Sequence, residues 1–459
     1  MMLKSLRPNL PFLSLVGAIA CGSGDEPQAA EGGKTVPMFS QPGAMTPAAM
    51  TPAAMTPAAT NEPDPSGTGT MTSPSGSGSE QPGPVELAPP PGEMSGGPGG
   101  ATQPPPAMQP PPAMQPPPAM QPPPPVQPGN CDAPPAADPV VGWAAVNGNG
   151  VATTTGGGNA TPITVTTLAQ LQAAVLGTDP AVIFVKGVLT PGELRPGSNK
   201  TIAGVCGAEI HGHIEVSQSV NVIFRNIKIV GYGVGNCALD PGFDATVGCS
   251  SGDDAITVQR NSHHVWFDHC DVSDGTDGNL DVSNGANFVT ISWTKFHYTA
   301  RTDDVGDDST GAAGHRYSNL VGGSDNTTAD ADALNVTWHH NWWADNVVER
   351  QPRVRFGENH LFNNYWASPT TNYCVRAGIQ AHVLIENSYF DGVKSPHQFN
   401  NDTDQQSANI TVDGNVYDGT SGTQATGGGG PAFTDPPYDY TLDPAAAVPD
   451  LVQSGAGPK

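Results

Sequence analysis

The chain has 459 residues and a formal net charge of -25, with 18 Lys+Arg against 43 Asp+Glu. This balance argues against nucleic acid as a general partner, because binding to the phosphate backbone needs a cationic surface. Any anionic ligand must therefore be held by a local group of cations.

The first 21 residues are typical of a secretory signal. Lys4 and Arg7 precede the apolar run 11–20, which is too short to span a bilayer, and Cys21 follows it. Residues 18–21 resemble a bacterial lipobox, although Ala18 stands where Leu is expected. We predict a secreted or cell-surface protein that is lipidated at Cys21, with ordinary signal cleavage as the alternative.

Residues 22–129 form a segment of biased composition. It is rich in Pro, Ala, Met, Gly and Ser, with one repeat at 45–59 and another at 103–120. Such a segment buries too little apolar surface to offset its chain entropy, so we predict a disordered linker. It would hold a folded domain away from a membrane or serve as a passive cell-wall stalk.

Residues 130–459 are expected to fold as one all-β domain. Short β-rich phrases recur there, most of them at intervals of about 23 residues or a multiple. A period of this size without helical spacing predicts a solenoid, and we predict a right-handed parallel β-helix. One helix is expected, over residues 168–175, where it would cap the N-terminal end of the core.

Six cysteines remain when Cys21 is set aside. An even number in an exported chain favours up to three disulfides. Cys237 with Cys249 is the local pairing that we expect, and the other pairings are open. The six are Cys131, Cys206, Cys237, Cys249, Cys270 and Cys374.

A second series of strand-like segments predicts a shared wall. The segments are 254–258, 279–282, the one around Arg301, 353–357 and 374–377. They lie about one coil apart once a polar insertion is looped out, so they should stack about 4.8 Å apart in one sheet. Asp254, Asp281, Arg301 and Arg355 would then face the same groove.

A bend in the chain would add a third carboxylate to this wall. Asp277 and Asp281 would lie about 13 Å apart along a straight strand. Gly275 and Gly278 allow the chain to curl, which would bring Asp254, Asp277 and Asp281 together as a Ca²⁺ site. The alternative is that Asp277 and Asp281 are ordinary turn residues.

Several motifs in the domain resemble those of the pectate lyase family, polysaccharide lyase family one. The resemblance covers about residues 142–400. Its most specific motifs are VWFDHC at 265–270 and RQPRVRFG at 350–357, supported by GWAAV at 142–146 and NKTIAG at 199–204. The resemblance implies a parallel β-helix that cleaves α-1,4-linked polygalacturonate by Ca²⁺-assisted β-elimination.

The resemblance also implies roles for single residues. Asp254, Asp277 and Asp281 fall on the family's Ca²⁺ ligands. Arg350 falls on the catalytic arginine and Arg355 on a substrate-binding arginine. A guanidinium is a poor base because it stays protonated, so Arg350 would need an unusual setting to take a proton.

Arg301 departs from the family, which usually has a substrate-binding lysine there. Arginine keeps the charge and grips a carboxylate in bidentate fashion, so we expect Arg301 to bind substrate with altered subsite preference.

Three other functions stay open. A pectin lyase would act on methylated polymer without needing the Asp site. A polygalacturonase-type hydrolase shares the fold, and Asp253 with Asp254 resembles its paired carboxylates. A noncatalytic surface β-helix would only bind the polysaccharide. Nothing in the sequence suggests an oligomer, so we expect a monomer.

Overall fold

The computed structural model describes residues 131–233, 237–243, 252–299 and 316–459. The predicted leader, the whole of the predicted linker, Cys249 and Arg301 lie outside these ranges. Among the described residues, no helix is long and apolar enough to cross a membrane.

The described part of the chain consists mainly of short strands. Those before residue 300 are β1 (Ile163–Val165), β2 (Ala181–Val188), β3 (Gly192–Leu194), β4 (Lys200–Ser217), β5 (Val220–Arg225), β6 (Lys228–Val230), β7 (Ile256–Gln259), β8 (His263–Asp268), β9 (Asp271–Ser273), β10 (Leu280–Val282), β11 (Asn287–Ser292) and β12 (Lys295–His297). Those after residue 315 are β13 (Leu320–Val321), β14 (Val336–His339), β15 (Trp342–Trp343), β16 (Arg353–Val354), β17 (Glu358–Phe362), β18 (Tyr365–Trp366), β19 (Val375–Ala377), β20 (His382–Glu386), β21 (Tyr389–Asp391), β22 (His397–Phe399), β23 (Asn409–Asp413) and β24 (Val416–Asp418).

These strands pair in parallel along three sides of a coil. The first sheet runs β3-β4-β7-β10-β13-β16-β19-β22. The second runs β1-β2-β4-β5-β8-β11-β14-β17-β20-β23. The third runs β4-β6-β9-β12-β15-β18-β21-β24. The long strand β4 contributes to all three, and the predicted parallel β-helix is confirmed.

The core consists of like side chains stacked from coil to coil. In the first sheet Val258 pairs with Val282 and Val282 with Val321, all three fully buried. Elsewhere the Trp343 and Trp366 rings stack with centroids 4.9 Å apart. Burial of an aliphatic side chain such as these valines contributes about 1.5–3 kcal/mol to folding. Stacking of the buried side chains therefore fixes the register of the coils.

Helices lie at the edges of the solenoid. The predicted helix is present as α1 (Leu168–Ala174), and the Thr167 hydroxyl caps it by accepting a hydrogen bond from the Gln170 amide at 3.3 Å. The expectation of a single helix was wrong, because α2 (Asp402–Gln405) and α3 (Val448–Gly455) also form. A proline in its first turn and two buried valines one turn apart start α3 and hold it against the third sheet.

The prediction of up to three disulfides is confirmed for one bridge. Cys131 and Cys206 form a disulfide across 75 residues of sequence. Cys270 and Cys374 are buried thiols, so a third bridge does not form. Both fill inward core positions, where cysteine packs as a small apolar residue. The expected partner of Cys237 lies outside the described residues.

Candidate functional site

The outer face of the first sheet carries charged side chains in register. Successive residues of a strand point to opposite faces, so the positions between the buried valines face outwards. One outward row passes from coil to coil through Glu215, Thr257, Asp281, Leu320, Arg353 and Arg376. The row places an acidic end beside a cationic end on one wall.

Two of the predicted metal ligands converge at the acidic end. A Cβ added to Gly278 would lie 2.6 Å from Asp254 Oδ1 and 3.3 Å from Asp281 Oδ1, so both carboxylates approach this glycine. Asp254 lies two residues before the start of β7, and Asp281 lies on β10, the neighbour of β7 in the sheet. The structure therefore brings Asp254 and Asp281 together as expected.

The chain bends between Gly275 and Gly278 as the sequence predicts. A Cβ added to Gly275 would lie 1.6 Å from the Gly278 carbonyl oxygen, a space that only glycine tolerates. The same carbonyl accepts a hydrogen bond from the Ala255 amide at 2.9 Å. The bend puts Asp277 close enough to act electrostatically on both Asp254 and Asp281.

This carboxylate group is unfavourable without a cation. Burial, followed by the charge of Asp277, raises the pKa of Asp281 to about 7. Burial and then the charges of Asp281 and Asp277 raise the pKa of Asp254 well above its usual range. Within the described chain Asp254 Oδ1 is buried and accepts no hydrogen bond, while its other oxygen accepts one from Thr257 at 3.1 Å. The group therefore fits a hard cation that takes oxygen ligands.

Arg350 lies within electrostatic reach of these carboxylates. Its guanidinium carbon lies 4.3 Å from the centre of the Tyr317 ring. Burial lowers the pKa of Arg350, but Tyr373, Asp281 and Asp277 outweigh it, so the pKa stands above its ordinary value. Its backbone is left-handed, with φ 56°, which costs a residue other than glycine about 1–2 kcal/mol. The surrounding structure therefore holds Arg350 in a fixed position as a protonated cation.

Arg355 is already engaged by the wall of the groove. Its Nε donates to Asp325 Oδ1 at 2.5 Å and its Nη1 to the Gly322 carbonyl at 2.8 Å. The Arg355 side chain is 12% exposed, whereas that of Asp325 is 45% exposed. A bound carboxylate would therefore compete with Asp325 for the Arg355 guanidinium.

Two further cations of the groove were not assigned as site residues from the sequence, although one of them, Arg353, lies in the arginine-rich motif at 350–357. Arg353 and Arg376 pair in register on β16 and β19, in the same outward row as Asp281. Burial and the like charges of Arg355, Arg350 and Arg376 hold the pKa of Arg353 down to about 10. Both residues lie in segments that the sequence assigns to the shared wall, so counting alternate positions would have found them.

A second group of side chains of the types that bind metals lies at the acidic end of the outward row. Atoms of Glu193, His213 and Glu215 that are able to bind a metal all lie within 4.8 Å of one another. His213 also contacts the backbone of Asp254, through Nδ1 and the Asp254 carbonyl oxygen at 2.6 Å. The sequence analysis did not single out any of the three, since no short motif contains them.

Comparison with known proteins gives one family. The family described as pectate lyase matches residues 130–459. Pectate lyase A of Aspergillus niger is 33% identical over 327 residues, which covers 70% of this chain and 88% of that protein. Pectate lyase B of Colletotrichum gloeosporioides is 34% identical over 292 residues, covering 63% and 78% respectively.

A solved structure shares the fold. It is the crystal structure of pectate lyase Bsp165PelA from Bacillus sp. N165 in complex with trigalacturonate. The TM-score is 0.54 at 24% identity, with 70% of this chain and 99% of that chain covered. At this identity the likeness supports the parallel β-helix and nothing finer.

Proposed function

The chain belongs to the pectate lyase family, and we propose that it cleaves α-1,4-linked polygalacturonate by Ca²⁺-assisted β-elimination. The products would be 4,5-unsaturated oligogalacturonides. The observation that carries the proposal is the convergence of Asp254 and Asp281 on Gly278, in the outward face that also holds the arginines. A polyanionic substrate needs such cations in a protein whose net charge is -25.

Asp254, Asp277 and Asp281 would hold the Ca²⁺. This ion takes about six to eight oxygen ligands, so three carboxylates leave room for a galacturonate carboxylate and water. Bound there, Ca²⁺ would neutralise the substrate carboxylate, which makes the neighbouring C5 hydrogen more acidic, and would offset the aspartate charges that hold the proton on Arg350.

The reaction needs a base and a cationic site for developing charge. Removal of the C5 proton leaves an electron pair that forms the C4–C5 double bond, the C4–O4 bond breaks, and the departing O4 takes a proton from water. Guanidinium groups beside the reacting carboxylate stabilise the enolate-like transition state. We assign Arg350 as essential to this step. If Arg350 itself takes the proton, activity should rise towards alkaline pH, because a guanidinium must first lose its own proton.

Arg355 and Arg301 would bind galacturonate carboxylates away from the scissile bond. Arginine suits this role because its guanidinium grips a carboxylate through two hydrogen bonds. Arg353 and Arg376 extend the same cationic row, and Arg376 is oriented by the Tyr373 ring at 3.5 Å. This density of positive charge favours unesterified pectate over methylated pectin as substrate.

One observation favours hydrolysis as a second candidate. A carboxyl group with a raised pKa suits a general acid, and Asp254 and Asp281 both have one in the metal-free chain. A bound cation would remove this property, because it keeps both groups ionised. The two functions therefore differ in their response to Ca²⁺.

We further propose that the chain is exported and anchored by a lipid on Cys21, with residues 22–129 as a spacer. The support is the order of charged, apolar and cysteine residues in the leader. Incorporation of labelled fatty acid into the wild-type chain, but not into the Cys21→Ser variant, would test the anchor.

The deciding experiment is an ultraviolet absorbance assay for unsaturated products from polygalacturonate, with Ca²⁺ or with chelator. We expect a Ca²⁺-dependent rise that Arg350→Ala abolishes. Arg260→Ala removes an exposed arginine outside the cationic row and should leave the rate unchanged. New reducing ends without absorbance would instead indicate a hydrolase. Polymer binding without either signal would indicate a carbohydrate-binding protein.

A further inference from the structure

We propose that Glu193, His213 and Glu215 form a second divalent-cation site, suited to a borderline metal such as Zn²⁺. Glu193 on β3 pairs in register with His213 on β4, and Glu215 lies two residues further along β4 on the same face. Their ligand atoms all lie within 4.8 Å of one another. One imidazole and two carboxylates are a donor set that Zn²⁺ takes in proteins.

The hydrogen bonding of His213 supports a metal at its second ring nitrogen. His213 is 5% exposed, and its Nδ1 lies 2.6 Å from the carbonyl oxygen of Asp254. A carbonyl only accepts, so Nδ1 carries the hydrogen and Nε2 of the neutral ring carries a lone pair. Within the described chain Nε2 makes no hydrogen bond. A backbone carbonyl that fixes the ring in this way is the usual outer partner of a metal-binding histidine.

Arg195 is the cation that balances the two glutamates in the metal-free chain. Its guanidinium pairs with both Glu193 and Glu215, and its side chain is 59% exposed. Arg195 makes no hydrogen bond to His213 in the part of the chain that the structure describes. A divalent cation would bind all three ligands, whereas Arg195 binds two of them. Because Arg195 is largely exposed, it is able to move into solvent when a metal replaces it.

The surroundings keep this site negative even with Arg195 present. Asp253 adds to the negative field of Glu193 and Glu215 around Arg195. Gln259 donates to Glu215 Oε1 at 2.8 Å and so orients that carboxylate. A partly buried group with surplus negative charge attracts a cation more strongly than an exposed acidic cluster does.

The proposed site differs in chemistry from the aspartate group. Ca²⁺ prefers oxygen ligands alone, while an imidazole nitrogen selects metals such as Zn²⁺. The two groups are nonetheless connected, because His213 holds the backbone of Asp254. A metal on His213 would therefore steady the first residue of the aspartate group. The proposal does not depend on lyase activity.

The test is calorimetric titration of the full chain with Zn²⁺ after removal of metals by chelator and re-saturation with Ca²⁺. We expect one Zn²⁺ per chain. His213→Gln should weaken it by at least about tenfold, whereas Arg195→Ala, which removes the competing cation, should tighten it. Asp281→Asn should leave Zn²⁺ binding intact, since that residue belongs to the other group.

The matched control is His211→Gln. His211 lies on the same strand and pairs with Glu209 at 2.8 Å, but it is more exposed than His213. Its substitution should not change the Zn²⁺ affinity. The proposal would be overturned if both histidine variants lose affinity equally, if His213→Gln loses none, or if Arg195→Ala does not tighten binding. Arg195 is at the surface, so its variant gives an answer even where His213→Gln fails to fold.

Discussion

Asp254 and Asp281 lie on neighbouring coils and turn their carboxylates towards one glycine, Gly278. A Cβ there would lie 2.6 Å from Asp254 Oδ1, so the carboxylate would have to move to admit a side chain. Gly278→Ala should therefore push the carboxylates apart and weaken Ca²⁺ binding by about tenfold or more, while the stacked core keeps the fold. Calorimetric titration with Ca²⁺ measures the change.

Gly323→Ala is the control for that substitution. A Cβ at Gly323 would meet only the Ser283 Cβ, at 4.0 Å. This variant should bind Ca²⁺ like the wild type. Equal affinities for Gly278→Ala and Gly323→Ala would show that the carboxylates need not meet at Gly278 to hold the ion.

The raised pKa of Asp281 predicts how the metal-free chain responds to pH. Its pKa of about 7 lies above the usual 3.8, so the folded chain binds more protons than the unfolded chain between these values. The contribution of Asp281 to stability must therefore fall as pH rises from about 4 to about 7, and then level off. The loss attributable to Asp281 is at most about 4 kcal/mol.

Thermal unfolding in chelator across this pH range tests the point. Asp281→Asn keeps an oxygen that accepts the Leu320 amide hydrogen bond but removes the charge. Its melting temperature should fall less with rising pH than that of the wild type. Excess Ca²⁺ should restore the melting temperature of the wild type but not that of the variant. If the melting temperature falls equally with pH in the wild type and the variant, the predicted effect of the buried Asp281 charge is contradicted.

The stacking of Arg350 on Tyr317 predicts a positioning role for the ring. The guanidinium carbon lies 4.3 Å from the ring centre, where a cation gains about 0.5–2 kcal/mol. Tyr317→Phe keeps the ring and should keep most of the activity. Tyr317→Ala should lower kcat by about 3- to 30-fold with little change in KM. The pair of rate measurements separates ring stacking from the hydroxyl; a loss in both variants would assign the effect to the hydroxyl.

The fold was predictable because the repeat controls it. A coil buries its apolar residues only by stacking, so residues such as Val258 and Val282 must recur in register. The cysteines were less predictable. An even number of cysteines does not show which of them are buried in the core, and Cys270 and Cys374 occupy core positions as thiols. Helix α3 was missed although Pro449 and the spacing of Val448 and Val452 indicate it.

The site was predictable where it depends on strand register and less so where it depends on loops. The bend at Gly275 and Gly278 follows from two glycines between acidic residues, and the structure contains it. The row position of Arg376 also follows from register, though the sequence analysis did not use it. Asp325 lies outside the strands, so no periodicity could predict its pairing with Arg355.

That pairing gives the last prediction. Asp325 holds the Arg355 Nε at 2.5 Å, in the position that a substrate carboxylate would occupy. Asp325→Asn removes the competing charge and should lower KM for polygalacturonate by about 2- to 5-fold at low salt, since an exposed ion pair is worth at most about 1 kcal/mol. The rate constant kcat should not change, because Arg355 in its proposed role would bind substrate equally before and during reaction. Asp332→Asn removes a charge that makes no ion pair in the described chain and should leave KM as it is. If KM rises in Asp325→Asn, then Asp325 orients Arg355 for binding and does not compete with the substrate.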